Sequence, residues 1–133
     1  MTDLVFFYGT LMTGFARRGR SRIDAKLALV GRGSIEAALF DLGIYPAAVP
    51  ASEGRVFGEV QRMLDVEGVL AALDEIEGYR PAQPDASLYT RVETAVTFDD
   101  GHVASGWVYF YNAPLGHAQR IESGDYLQHL KVR

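Results

Sequence analysis

Two apolar and aromatic runs, residues 88–98 and 103–112, flank the tetrapeptide Asp99-Asp100-Gly101-His102. Asp-Gly between two such runs is a strong short-range signal for a β-hairpin, because both residues tolerate the backbone angles a tight turn requires. A two-residue Asp100-Gly101 loop predicts Phe98 opposite Val103, Val96 opposite Ser105, Thr94 opposite Trp107 and Val92 opposite Tyr109. That face is apolar and aromatic. The other face carries Tyr89, Arg91 and Glu93 against Phe110 and Val108. A hairpin with apolar groups on both faces must be covered twice. It belongs in a small barrel, or in a sheet overlaid by helices.

The rest of the chain favours the same class. Leu4-Val5-Phe6-Phe7-Tyr8 is a short buried-strand pattern stopped by Gly9. Residues 26–41, small and apolar with Gly31 and Gly33 among them, read as strands. Pro46 and Pro50 bracket a segment read as irregular, and residues 55–63 alternate as a strand does. Residues 80–86 contain Pro81 and Pro84 and form a loop, and residues 124–130 suit a last short helix. Strands outnumber helices and no βαβ alternation appears, so the expected class is α+β, one domain over residues 1–133. A chain of 133 residues can bury roughly two-thirds of its unfolded surface without staples.

One helix stands out. In residues 65–78, Val66, Val69, Leu70, Leu73 and Ile76 recur every three or four positions and form one apolar stripe. Asp65 is placed to cap its start and Gly78 to end it. Glu77 follows Leu73 by four positions and Leu70 by seven, so it falls inside the stripe. Glu75 points to the opposite side and Asp74 lies at the border. Burying a carboxylate is costly unless it is paired or its pKa rises. The negative end of the helix dipole pushes in the same direction. Such a group is suited to taking and returning a proton near neutrality. The bland alternative is a glutamate that reaches water, or pairs with Arg91 or another cation.

Other chemistries find little support. With no cysteine, thiol nucleophiles and Cys-ligated metals are excluded. There is no G-x-S-x-G, and His102, His117 and His129 show no metal-ligand spacing. Gly31-x-Gly33 lacks the third glycine and the helix of a dinucleotide loop. A net charge of −4 argues against general nucleic-acid or anionic-membrane binding. The basic cluster Arg17, Arg18, Arg20 and Arg22 reads as a solvated loop within residues 14–22. No cofactor or metal is expected, and the N-terminal apolar stretch is too short for a membrane span. Cytoplasm is the expected compartment, and the oligomeric state stays open. Tyr8-Gly9-Thr10-Leu11, at the end of the first strand, is the second candidate feature, because successive amides in a tight turn can hold an anion.

Several short segments, taken in order, resemble the gamma-glutamylcyclotransferase-like (AIG2-like) superfamily across nearly the whole chain. They are Tyr8-Gly9-Thr10-Leu11-Met12, Phe40-Asp41-Leu42-Gly43-Ile44-Tyr45-Pro46, Val56-Phe57-Gly58-Glu59, Leu73-Asp74-Glu75-Ile76-Glu77-Gly78, Tyr89-Thr90-Arg91 and Ser123-Gly124-Asp125-Tyr126. The resemblance implies a small mixed β-barrel with flanking helices. It also implies a cyclotransferase that converts a small-molecule gamma-glutamyl amine into 5-oxoproline and a free amine. In that role Glu77 is the proton shuttle and Tyr8, Gly9, Thr10 and Leu11 hold the glutamyl end. Tyr45, Tyr89, Tyr109 and Tyr111 are candidates for the leaving-amine side. The alternative is a non-catalytic small-molecule-binding module on the same fold. One departure is Ala37-Ala38, where many relatives carry glycine, which predicts a narrower approach to the pocket.

Overall fold

The structure is a computed structural model that describes residues 2–13 and 23–131. The basic cluster Arg17 to Arg22 lies outside the described residues. Among the described residues there are six strands and two α-helices: β1 (Leu4–Phe7), β2 (Leu27–Asp41), β3 (Pro46–Met63), α1 (Val66–Glu77), β4 (Tyr89–Phe98), β5 (Val103–Tyr111), β6 (Gln119–Arg120) and α2 (Tyr126–Lys131). The strands run in the order β3-β1-β5-β4-β2, and β2 pairs back onto β3, closing a five-strand barrel. β1 and β5 are parallel and the other pairs antiparallel, so the barrel is mixed. The short β6 extends the sheet from the far end of β2, at Phe40 and Asp41. The β2–β4 and β1–β5 seams are short, of two pairs and one pair, and the β2–β3 and β4–β5 ladders are long. Among the described residues, no helix is long and apolar enough to cross a membrane.

The core is built from the runs that read as strands. Val5, Phe6, Ile35, Leu39, Val56, Val60, Val96 and Val108 are all buried in one cluster, together with Val69 and Leu73 of α1. Burying a side chain of this size contributes about 1.5–3 kcal/mol. α1 begins at Asp65, whose carboxylate accepts from the Gly68 amide. It ends at Gly78, with φ +67 in the left-handed region, where a side chain would be strained. The stripe faces the barrel, Glu75 is exposed and Asp74 is half-buried.

Two local expectations are corrected. The segment from Pro46 to Pro50 is not irregular but opens β3, with Ala47 and Ala48 fully buried. Pro46 sits at the first strand position, and at Pro50 the pairing with β2 jumps from Ala37↔Pro50 to Glu36↔Arg55. A first position and a bulge are where a residue without an amide hydrogen fits a sheet.

The hairpin is real, but its register differs by one residue. The last ladder pair is Thr97↔Val103, and the Gly101 amide donates to the Phe98 carbonyl at 2.9 Å. Gly101, with φ +96, forms the bulge of a three-residue loop, Asp99-Asp100-Gly101. The observed pairs are therefore Arg91↔Tyr109, Glu93↔Trp107 and Val92↔Val108. A one-residue slip exchanges the partners on both faces.

Candidate active site

A cleft of about 380 Å³, including its open mouth, lies where the end of β1, the start of β3, the end of α1 and the β4–β5 pair meet. Tyr8, Gly9, Thr10 and Leu11 form one wall, and Glu77, Tyr45 and Tyr89 line others. Eight of the nine residues singled out from sequence, Tyr109 among them, thus sit around one cavity. Tyr111 does not line it. It packs edge-on against Tyr89 at 5.2 Å between ring centroids, supporting that ring from behind. Tyr109, the candidate two residues earlier on the same face of β5, does line the cleft. Neither Ala37 nor Ala38 lines the cleft; both are buried in β2, so the expected narrowing there is not what shapes the opening.

Glu77 is the last residue of α1 and is only 9% exposed, while lining the cleft. The helix puts it there because the stripe that buries Leu70 and Leu73 continues to position 77.

The loop after β1 is shaped by two contacts. The Met12 amide donates to the Gly9 carbonyl at 3.0 Å, closing a turn. Gly9 packs flat against Pro46: a Cβ there would lie 2.8 Å from the proline Cγ. Beyond the turn, the Thr13 amide and hydroxyl both donate to Glu59 Oε1, at 2.8 and 3.0 Å, and Gln61 Nε2 donates to the same oxygen at 3.1 Å. Glu59 is thus a buried anchor for the loop, and the Glu of the Val-x-Gly-Glu strand has a structural task.

The tyrosines are tied into the frame through their hydroxyls. Tyr8 donates to the Tyr109 carbonyl at 2.6 Å and accepts from the Ala48 amide at 3.3 Å, bridging β5 and β3. Tyr89 donates to the Pro46 carbonyl at 3.3 Å. Tyr109 donates to Asp74 Oδ1 at 2.5 Å. Burial, then the hydrogen bond donated to Asp74 and the negative charge of Asp74, hold the Tyr109 phenol far above its usual pKa; Glu77 adds to this and Arg91 opposes it.

Arg91 does not pair with Glu77, the bland option that the helical wheel leaves open. It grips Asp74 instead, Nε to Oδ1 at 2.9 Å and the second guanidinium nitrogen to Oδ2 at 3.2 Å. Its guanidinium also lies 4.8 Å from the Trp107 ring centroid and 5.5 Å from that of Tyr79. Burial works against the charge of Arg91, but the hydrogen bond and charge of Asp74 outweigh it and raise its pKa. Asp74 was legible only as a border residue of the stripe. Its partners stand on the hairpin, whose true register no local signal reveals. Among the described residues, no cluster of three or more His, Asp or Glu is arranged to hold a metal.

Residues 5–128 match the family model described as Gamma-glutamyl cyclotransferase, AIG2-like. The chain belongs to this family. It is 33% identical over 124 residues to the Gamma-glutamylcyclotransferase family protein YtfP of Escherichia coli K12, covering 92% of this chain and 95% of that protein. The solution structure of ytfP from Escherichia coli superposes with a TM-score of 0.65 at 32% identity, covering 95% of this chain and 97% of that one. YkqA from Bacillus subtilis superposes with a TM-score of 0.74 at 25% identity over 99% of this chain, which spans 42% of YkqA. The barrel with its two helices is the fold of these relatives.

Proposed function

We propose that this protein is a gamma-glutamyl amine cyclotransferase that releases 5-oxoproline and a free amine. The observation that carries the reading is the convergence of the Glu77 side chain and residues 9–11 on one cleft. In the reaction, Glu77 takes a proton from the substrate's α-ammonium. The freed amine nitrogen attacks the γ-carbonyl carbon, forming the ring C–N bond. The bond from that carbon to the leaving nitrogen breaks as Glu77 returns the proton to the departing amine, and the second proton of the ring nitrogen passes to the Glu77 carboxylate and on to that amine, which leaves as an ammonium. No water, oxidant or reductant enters the balance.

Ring closure within one molecule chiefly requires positioning, one proton shuttle and donors for the developing oxyanion. The turn at residues 9–11 supplies backbone amides beside the cleft, and Glu77 supplies the shuttle. The cleft's aromatic wall suits the leaving portion of the substrate. The test is a panel of gamma-glutamyl amines scored by 5-oxoproline formation, with wild type and Glu77→Gln. Turnover by wild type that falls at least about a hundredfold in the folded variant, the lower end of the range for a general acid–base group, is expected. Unchanged turnover in Glu77→Gln overturns the mechanism. A wild type that binds 5-oxoproline but forms none from any panel member points to a binding module.

A further inference from the structure

We propose that Tyr109 is the group in this cleft that receives the ligand's primary ammonium, and that Asp74, gripped by Arg91, is the positioning residue that makes it an acceptor. The proposal deepens the cyclotransferase reading of the same cleft and rests on it for the choice of ligand.

The argument begins with donor counting. A phenol has one proton to donate and lone pairs to accept with. The Tyr109 proton goes to Asp74 Oδ1 at 2.5 Å. Asp74 faces the guanidinium of Arg91 through both oxygens, and an ionised carboxylate only accepts. The direction of the Tyr109–Asp74 hydrogen bond is therefore fixed. Arg91 is itself held by Trp107 and Tyr79, so the carboxylate cannot turn away without breaking several contacts.

Tyr109 lines the cleft; Asp74 does not. With its proton engaged, the Tyr109 hydroxyl has only lone pairs left for a ligand. The neighbouring carboxylate, Glu77, offers the same when ionised. A wall with two acceptors fits an N–H-rich cation and repels a carboxylate or carbonyl oxygen. An ammonium held on Tyr109 would be presented to Glu77, the group that must take its proton. The wall thus selects ligands with a free α-ammonium, and a purely structural Asp74–Tyr109 contact would make no such distinction.

Two ligands that differ in that one group test this. L-glutamine is the smallest gamma-glutamyl amide, and glutaramic acid is the same molecule without the α-ammonium. Calorimetric titration near neutral pH is expected to show wild type binding L-glutamine more tightly by roughly tenfold or more, the size of a charge-assisted hydrogen bond. Tyr109→Phe, checked as folded by circular dichroism, should bring the two affinities within a few-fold. Asp74→Asn, which touches no ligand, should also reduce the preference, and it carries the test if Tyr109→Phe does not fold. Equal affinities in wild type, binding of neither ligand, or full discrimination by Tyr109→Phe overturns the proposal. Full discrimination by Asp74→Asn overturns the positioning role. The turnover assay is separate: discrimination without 5-oxoproline formation keeps this inference and removes the cyclotransferase reading.

Discussion

Tyr109 on the barrel and Asp74 on the helix are joined by a 2.5 Å hydrogen bond that ties α1 to β5 beside the cleft. Position 74 is three residues before Glu77, so this bond also sets where the end of the helix meets the barrel. Arg91, opposite Tyr109 on β4, completes the junction.

The Tyr109 phenol supplies a stability that depends on pH. Its pKa in the folded protein is raised, so folding favours the protonated form. The contribution is fully present below the ordinary phenol value of about 10 and is lost as pH rises through the folded value. Denaturant titrations carried above about pH 10, where the unfolded phenol ionises and the folded one does not, are expected to show wild type weakening more steeply than Tyr109→Phe. Parallel curves would mean that Tyr109 ionises freely while folded.

Breaking the Arg91 fork should cost more than an exposed ion pair. The two side chains are 18% and 14% exposed, between surface and core. Arg91→Ala is expected to destabilise by roughly 2 kcal/mol, above a surface pair and below a fully buried one. Arg91→Lys should recover only part of this, because an ammonium cannot reproduce the planar two-point grip. Chemical denaturation of the three proteins measures both steps.

Gly9→Ala tests the contact with Pro46. The added methyl would sit 2.8 Å from Cγ and 3.0 Å from Cδ of the proline, so the loop or the start of β3 must move. Overpacking of this kind costs about 1–3 kcal/mol. The expected result is a lower midpoint of unfolding together with weaker binding of L-glutamine. An unchanged midpoint would show that the loop relaxes freely.

Glu59→Leu removes the oxygen shared by the Thr13 amide, the Thr13 hydroxyl and Gln61. Gln61 is fully buried, so its amide would lose a partner with no solvent to replace it. A loss of about 1–3 kcal/mol is expected from the stranded donors. Glu59→Gln keeps one accepting oxygen and should lie closer to wild type. Thermal melts of the pair decide whether the anchor works through its oxygen or through packing.

The chain's own pattern determined which segments become strands and which becomes the main helix. Leu70, Leu73 and Glu77 share a helical face whatever surrounds them, because 3.6 residues per turn places them there. Asp65 and Gly78 mark the helix ends by local chemistry alone. The placement of Glu77 on the buried side, and of the Tyr8-Gly9-Thr10-Leu11 turn after a buried strand, followed from those local rules. What lay beyond them was long-range pairing. Pro46 looks like a breaker locally, yet it begins a strand because β2 lies beside it and asks nothing of its missing amide hydrogen. The Asp-Gly turn announces a hairpin, but whether two or three residues form the loop depends on how both strands fit the closed barrel. That single residue decides that Arg91 faces Tyr109. Asp74 acquires its role only when that register meets the helix, because its partners are 17 and 35 residues away in the chain and adjacent only after folding.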